Sequence, residues 1–155
     1  MRVRLAERAD VERLHQITVD AKAHWGHDRS WVENWAVAGD FAAQAVARDE
    51  AWLIEVDGVI AGWSALQLRG NVAWLEDLWV DPAYMGRGIG TALFVDATNR
   101  AGRAGAQRVE WEADLDAVGF YERMGARRIG TSDVTELGRV LPIMAVDCAV
   151  SSRRP

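Results

Sequence analysis

Hydrophobic positions in the first part of the chain follow two different periods. Met1–Leu5 alternates apolar and basic residues, which predicts a short strand. Apolar residues then recur every three or four positions from Val11 to Ala21, which is the period of a helix with one buried face. We therefore expect a first helix that is N-capped by Asp10 and ends near Lys22.

A second helical stretch follows a break in the pattern. Ser30–Glu33 has the spacing of a capping box, in which the first and fourth side chains bond to each other's backbone amides, so a helix should begin at Trp31. Helical or irregular structure should continue to about Arg48. Gly39-Asp40 should interrupt it, because glycine is a frequent helix terminator.

The pattern then changes to apolar runs typical of strands. Ala51–Val56 and Val59–Leu68 flank Asp57-Gly58, which is a strong signal for a two-residue hairpin turn. A second turn of sequence Arg-Gly-Asn leads into Val72–Val80, so three strands should form an antiparallel meander. Asp81-Pro82 should end the third strand, because the residue before a proline disfavours continuation of regular structure.

The second half alternates helices and strands. We expect a helix at Thr91–Arg103, a strand at Arg108–Ala113, a short helix at Asp116–Met124, and closing strands at Arg127–Ile129 and Val140–Val146. The order is β-α-α-β-β-β-α-β-α-β-β. It predicts an α/β (α+β) protein whose mixed sheet has a central antiparallel meander, a parallel crossover and helices on both faces.

Composition narrows the class of protein. The 155 residues are 50% hydrophobic and 26% charged, which fits one globular domain over 1–150 with a polar, frayed tail at Ser151–Pro155. The formal net charge of −5 disfavours a nucleic-acid-binding protein. No signal peptide or membrane-length apolar run is evident, and Cys148 is the one cysteine, so we expect a cytoplasmic protein with a buried thiol and no membrane partner.

Three alternating glycines, Gly86, Gly88 and Gly90, lie between a predicted strand and a predicted helix. Such a loop turns backbone amides toward one point, and the helix N-terminus adds partial positive charge, so the place suits a phosphate or pyrophosphate. A P-loop string is missing. The dinucleotide fingerprint fails because its third glycine would fall at Thr91. A glycine-rich turn without a ligand stays open at this point.

Two segments resemble signatures of the GNAT superfamily of N-acetyltransferases. DLWVDPAYMGRGIGTALF is similar to its acyl-CoA-binding signature, and DLDAVGFYERMGA, about 30 residues later, is similar to its second signature. The resemblance implies the GNAT acyl-CoA N-acyltransferase fold over nearly the whole chain. It also implies acetyl-CoA as co-substrate and an amine acceptor. Met85, Asp114 and Ala126 depart from the usual residues, and the first two put a side-chain contact to the cofactor in doubt.

The resemblance also implies which residues hold acetyl-CoA. Backbone amides of Arg87–Thr91 would bind the pyrophosphate. The strand end Leu78–Val80, where the family has a β-bulge, would contact pantetheine and acetyl groups and supply an oxyanion donor. The expected cofactor-binding residues are Leu78, Trp79, Val80, Met85, Gly86, Arg87, Gly88, Ile89, Gly90, Thr91, Asp114 and Tyr121.

Acetyl transfer to an amine also needs a base and an acid. Tyr121 is the expected acid, because a phenol is protonated at neutral pH and the family packs this tyrosine beside the CoA sulfur. Glu76 is the expected base, since relatives place the glutamate of a similar Leu-Glu-Asp string toward the acceptor. His24 is a second candidate base. Asp77 is a weaker one, because it has opposite parity on an ideal strand.

The acceptor is the least defined part. His24, Trp25, Glu76 and Asp77 are the expected substrate-binding residues, in or beside one wall of the family's acceptor cleft. The resemblance implies a primary amine of a small molecule or peptide as the acceptor, and nucleic acid is not expected. No metal is expected, because no ligand set has metal spacing. Two further hypotheses stay open: a homodimer, and a non-catalytic acyl-CoA-binding sensor or regulatory module.

Overall fold

The computed structural model describes residues 1–135 and 138–149, and the predicted tail Ser151–Pro155 lies outside them. Seven strands are found within the described residues: β1 Arg2–Leu5, β2 Ala51–Val56, β3 Val59–Arg69, β4 Val72–Val80, β5 Arg108–Glu112, β6 Arg127–Val134 and β7 Val140–Asp147. They form one sheet in the order β1-β2-β3-β4-β5-β7-β6. β4 and β5 are parallel, whereas β1–β2, β2–β3, β5–β7 and β6–β7 are antiparallel. The mixed sheet with one parallel crossover is therefore confirmed.

The described residues contain five α-helices and three short 3₁₀ turns. The helices are α1 Val11–His24, α2 Arg29–Gly39, α3 Phe41–Ala47, α4 Ile89–Arg103 and α5 Val118–Arg123. The 3₁₀ turns are Arg8–Asp10, Pro82–Tyr84 and Leu115–Ala117. Asp40, in the left-handed conformation, separates α2 from α3 at the predicted break.

Of the two predicted helix N-caps, the first is confirmed by its position and the second is wrong. Asp10 occupies the N-cap position of α1 but forms no side-chain cap bond. Its carboxylate instead bonds to Arg4 and to the amide of Glu7. The second helix begins at Arg29 rather than Trp31, because its N-cap is Asp28 and not Ser30: the Asp28 carboxylate accepts from the Trp31 amide at 3.0 Å.

The last antiparallel pair also differs from the prediction. β6 extends to Val134, five residues beyond the predicted end at Ile129, and pairs with β7 from Arg127↔Ala145 to Val134↔Val140. Its residues are mostly exposed, and its register shifts twice along the pair. An edge strand of this kind has little hydrophobic alternation, so it gives a weak signal in sequence.

The chain divides into two compact units. Unit 1 contains Met1–Ala65 and Asp77–Asp96, and unit 2 contains Leu66–Glu76 and the described residues from Ala97 onward. In unit 1, helices cover both faces of β2 and β3, as predicted. One face packs on α1 and α3 through Leu14, Ile17, Ala42, Ala45, Leu53 and Trp63, and the other packs on α4 through Ile54, Ala61, Ile89 and Leu93.

The core of unit 2 lies around β5 and β7. Val109, Trp111 and Met144 are fully buried. Cys148 is a buried free thiol, as predicted, and burial raises its pKa. The strand pattern of the sequence predicts that four tryptophans lie in the core: Trp52, Trp63, Trp74 and Trp111. Trp63 and Trp111 are buried there, whereas Trp52 and Trp74 are only half-buried.

Candidate active site

The glycine loop in unit 1 connects the end of β4 to the start of α4. Asp81 caps the 3₁₀ turn Pro82–Tyr84 by accepting from the Ala83 amide at 2.9 Å. Gly86 and Gly88 then have positive φ values of 77° and 79°, which L-residues rarely adopt. A Cβ built on either glycine would meet nothing within 4 Å. The loop therefore leaves open space beside backbone that only glycine adopts without strain.

α4 begins at Ile89, two residues earlier than predicted. Buried Ile89 and Leu93 fix its first turns against Ile54 and Ala61. The Gly88 carbonyl accepts from the Ala92 amide at 3.0 Å, which closes the first turn. The first amides of an α-helix have no partner within the helix. A firmly packed helix start of this kind suits an anion.

Side chains of unit 1 also fix where the loop begins. Arg13 of α1 donates to the carboxylate of Asp81 and to the carbonyl of Ile60. The guanidinium of Arg87 lies 5.2 Å from the ring centroid of Tyr84, which is cation–π distance. Arg13 is not among the predicted site residues. Its contact joins positions far apart in sequence, so nothing in the local pattern indicates it.

β4 contains the expected bulge. With the two-residue turn between Arg69 and Val72, a regular ladder would pair Ala61 with Val80. It is instead the amide of Asp81 that donates to the Ala61 carbonyl, at 2.8 Å, so β4 has one residue more than β3 in this interval. Before this point burial alternates regularly: Ala73, Leu75 and Asp77 are buried, whereas Glu76 is exposed. Asp77 and Glu76 therefore lie on opposite faces of β4, as the parity of an ideal strand predicts.

The end of β4 forms a buried polar contact in unit 1. The indole N–H of Trp79 donates to the carboxylate of buried Asp77 at 2.9 Å. The ammonium of Lys22, also buried, lies 5.4 Å from the Trp35 ring and 6.0 Å from the Trp79 ring. Trp79 thus contacts both a carboxylate and a cation. Lys22 is not among the predicted site residues, although its place on the apolar side of α1 could have indicated a buried cation.

Glu76 lies in unit 2 and is solvent-accessible. Its carboxylate is 3.6 Å from a terminal guanidinium nitrogen of Arg69. Arg69 lies 5.2 Å over the ring of Trp74, and it donates to the Gln67 side chain at 2.8 Å. Arg69 is a further residue that the sequence does not indicate as part of the site.

Tyr121 of α5 is buried in unit 2. Its ring centroid lies 4.8 Å from Trp111 and 5.1 Å from Phe120. Burial raises the pKa of Tyr121 above its ordinary value, and the negative charge of Asp114 adds to the rise. The hydroxyl therefore stays protonated at neutral pH, which is the state that a general acid needs.

The predicted acceptor residues near α1 lie on the surface of unit 1. His24 is the last residue of α1, and its ring makes an edge contact with Trp25 at 5.1 Å. Trp25 is half exposed. Trp31 and Trp35 stack with centroids 6.1 Å apart, and Trp35 also contacts Phe41 at 4.7 Å, so these two rings pack largely on each other and on their neighbours.

The predicted site residues therefore fall into two groups. Unit 1 brings together the strand end, the glycine loop and the helix start, with His24 and Trp25 at the end of α1; unit 2 contains Glu76, Asp114 and Tyr121. Among residues 1–135 and 138–149, no group of three or more His, Cys, Asp or Glu side chains could hold a metal ion. None of the helices in these ranges is long and apolar enough to span a membrane.

The order of elements, the bulged strand and the open glycine loop before α4 define the GNAT type of acyl-CoA-binding fold. Comparison with known proteins agrees: the model of the acetyltransferase (GNAT) family matches residues 11–126, and the chain belongs to that family. Among solved structures, the chain is similar to an N-acetyltransferase of Thermoplasma acidophilum in complex with coenzyme A. The TM-score is 0.79 at 17% identity, over 94% of this chain and 98% of that one.

Curated relatives share shorter stretches. An N-acetyltransferase of Methanocaldococcus jannaschii is 31% identical over 116 residues, which cover 67% of this chain and 51% of the relative. A peptidyl-lysine N-acetyltransferase of Salmonella typhimurium is 36% identical over 70 residues, which cover 45% of this chain and 47% of the relative. The chain thus spans about half the length of the curated relatives it matches.

Proposed function

We propose that this protein transfers the acetyl group of acetyl-CoA to a primary amine of a small molecule or peptide. The observation that carries the proposal is the glycine loop, in which Gly86 and Gly88 have positive φ and open space beside them, directly before the start of α4. Amides of Arg87–Thr91 would bind the pyrophosphate there. The coenzyme A bound to the Thermoplasma acidophilum structure supports this choice of ligand.

The reaction that we propose is direct attack. The amine nitrogen attacks the thioester carbonyl carbon, and the C–N bond forms as the carbonyl π pair moves to oxygen. A backbone amide near Leu78 or Val80 would stabilise that oxyanion. The C–S bond then breaks, and the thiolate leaves with the electron pair. The bulge in β4 supports this role, because bulged residues leave the regular hydrogen-bond ladder.

Two protons move in this scheme. Glu76 takes the proton that the amine loses, directly or through water, which its solvent-accessible carboxylate allows. Tyr121 gives a proton to the departing thiolate, and its buried, protonated hydroxyl supports that role. We rank Asp77 and His24 below Glu76 as the base. Asp77 already bonds to Trp79, and His24 is exposed at the end of α1.

The proposed compartment is the cytoplasm. The sequence contains a single cysteine, Cys148, which is a buried free thiol. Such cysteine usage fits a reducing environment. A homodimer stays a prediction.

The test is release of the CoA thiol from acetyl-CoA in the presence of a panel of primary amines, with mass spectrometry of the products. Amine-dependent thiol release with an acceptor about 42 Da heavier, the mass that replacing one hydrogen by an acetyl group must add, supports the proposal. If the protein binds CoA but no amine accelerates the formation of free CoA thiol from acetyl-CoA, the alternative of a non-catalytic acyl-CoA sensor is correct instead. Failure to bind CoA would contradict both.

A further inference from the structure

Arg69 and Glu76 in unit 2 are neighbours of opposite charge, but the distance between them is too long for a strong hydrogen bond. One terminal nitrogen of Arg69 donates to Gln67 at 2.8 Å and is 3.6 Å from the Glu76 carboxylate. Charge-assisted hydrogen bonds of this type are typically about 2.7–2.9 Å long. The side chains of Arg69 and Glu76 are 54% and 37% exposed. Two opposite charges are therefore close together, accessible, and loosely joined.

Three neighbours orient the guanidinium. The Trp74 ring lies 5.2 Å beneath it, Gln67 accepts from one nitrogen, and Glu76 attracts the same edge. A planar guanidinium fixed on an aromatic ring presents its remaining N–H groups in a rigid fork, and that fork matches a carboxylate. Exposed ion pairs of this kind contribute little to stability. A ligand that satisfies both charges can therefore replace the Arg69–Glu76 contact at little cost.

We propose that Arg69 binds the carboxylate of the acceptor and that the acceptor is an α-amino acid; this inference rests on the proposed function. An α-amino acid has its ammonium and its carboxylate on the same carbon. It can therefore set its two charges antiparallel to a neighbouring Arg–Glu pair, with the ammonium on Glu76 and the carboxylate on Arg69. Arg69 is then a specificity-determining residue, whereas Glu76 handles the reacting amine.

The same arrangement favours release of the product. Acetylation turns the ammonium into a neutral amide while the carboxylate remains. Glu76 then loses its cationic partner, and half of the electrostatic recognition disappears. An N-acetyl amino acid should therefore bind more weakly than the amino acid, and the remaining affinity should depend on Arg69.

The experiment compares acceptors that differ only in the carboxylate. We would measure kcat/KM for phenylalanine against 2-phenylethylamine, leucine against isopentylamine, and lysine against cadaverine. A hydrogen bond between charged groups is worth enough that the wild type should prefer an amino acid over its amine by about ten- to a hundredfold. At least one of the three pairs should show this preference, since the side chain of the acceptor also contributes.

The decisive variant is Arg69→Met, which keeps much of the aliphatic length and removes the charge. The preference ratio should fall to within about threefold of one, because the carboxylate loses its partner while the amine keeps Glu76. Arg69→Lys keeps the charge without the planar fork and should give an intermediate ratio. Arg103→Met, in the last turn of α4, is the matched control and should keep the wild-type ratio.

The ratio of kcat/KM for an amino acid to kcat/KM for its amine does not change when a substitution lowers both rates equally. If Arg69→Met disturbs Glu76 or the fold, both members of an acceptor pair lose rate together and the ratio stays unchanged. A second measurement avoids turnover altogether: calorimetric binding of the N-acetyl form of the preferred amino acid (phenylalanine, leucine or lysine) to the CoA complex should weaken about tenfold or more in Arg69→Met.

The outcomes separate the two proposals. A wild type that acetylates other amines but shows no preference for amino acids overturns the inference and leaves the proposed function standing. A preference that persists unchanged in Arg69→Met also overturns it. Absence of acetyl transfer to every amine contradicts the proposed function, and the inference fails with it.

Discussion

Glu76 and Tyr121 differ in solvent exposure, and the exposure of each suits its proposed role. Glu76 is accessible to solvent and close to Arg69, so it can exchange a proton with an incoming amine or with water. Tyr121 is buried against Trp111 and Phe120, so it keeps its proton until charge develops beside it. The residue types can be picked out by resemblance to a family. Their contrasting environments are properties of the folded chain.

Replacing Glu76 by glutamine should make acetyl transfer depend more steeply on pH. Glutamine cannot accept the amine proton, so kcat/KM should fall most at low pH, where nearly all of the amine is protonated, and less at high pH. The measurement is the pH profile of kcat/KM for both proteins with one acceptor. A loss of the same size at every pH would mean that Glu76 serves acceptor binding or strand geometry instead.

Replacing Tyr121 by phenylalanine should slow the chemical step and leave cofactor binding nearly intact. Phenylalanine keeps the ring contacts with Trp111 and Phe120, so the variant should fold normally. General acid catalysis is typically worth about 10²–10⁴-fold, and a thiolate is a fairly good leaving group, so we expect the lower end of that range. The measurement is single-turnover acetyl transfer together with the acetyl-CoA dissociation constant. A rate within about twofold of wild type would exclude Tyr121 as the acid.

At the scale of elements, ion pairs as well as strand pairing connect β1 to β2 and to the start of α1. Arg4 of β1 bonds to Asp10 at the start of α1 and to Glu55 of β2. The hydrogen bond from Arg4 is the main cause that lowers the pKa of Asp10, and the amide of Glu7 and the charge of Arg4 lower it further. One carboxylate therefore connects a strand and a helix start. This contact explains why Asp10 does not act as a side-chain cap.

The lowered pKa of Asp10 makes its contribution to stability depend on pH. A carboxylate whose pKa is lower in the folded protein stabilises the fold above its unfolded pKa of about 3.9. That contribution is lost as the pH falls through the folded-state pKa. Asp10→Asn should therefore lower Tm at pH 7, and the difference from wild type should shrink steadily below about pH 4.

Thermal melts at several pH values would check the prediction for Asp10. Asp133→Asn is the control, because Asp133 lies on the mostly exposed edge strand β6. A Tm difference between Asp10→Asn and wild type that does not shrink as the pH falls below about 4 would show that the effect comes from packing and not from the charge of Asp10.

At the scale of the whole molecule, ligand binding should be visible in stability. A ligand that binds only the folded state adds about 2.7 kcal/mol when its concentration is about 100 times its Kd. For a protein of this size, each kcal/mol raises Tm by roughly 2–4 °C, so saturating CoA should raise it by about 5–10 °C. Gly88→Val places a β-branched residue at a positive φ and beside the proposed phosphate site, so it should weaken CoA binding about tenfold or more.

The two effects can be measured in one set of melts. Wild type and Gly88→Val are each heated with and without CoA, and the CoA-dependent shift should be several degrees smaller in the variant at equal CoA. Gly70→Val is a matched control, since Gly70 also has positive φ and open space but lies in the β3–β4 turn. An equal CoA-dependent shift in wild type and Gly88→Val would remove the glycine loop from the cofactor site.

Local signals in the sequence determined much of the fold. The Asp57-Gly58 turn, the periodic faces of α1 and α4, and the glycines after β4 act over a few residues, so their structures can be predicted from neighbours alone. Helix starts are harder to predict. Asp28 and Ser30 are both possible N-caps two residues apart, and Asp28 takes that position by accepting from the Trp31 amide.

The tertiary structure alone decided the contacts that join distant positions. The bulge in β4 depends on which amide reaches Ala61, and the place of Arg13 depends on how α1 packs near Asp81. The pairing of Arg69 with Glu76 requires two strands and the Trp74 ring to be in register. Arg69 and Glu76 are close in sequence, whereas Arg13 and Asp81 are 68 residues apart, but each contact depends on strand register or packing, which local sequence patterns do not give. The sequence therefore determined the family, the cofactor loop and the residue types of the chemistry, whereas the fold determined which charges meet beside them.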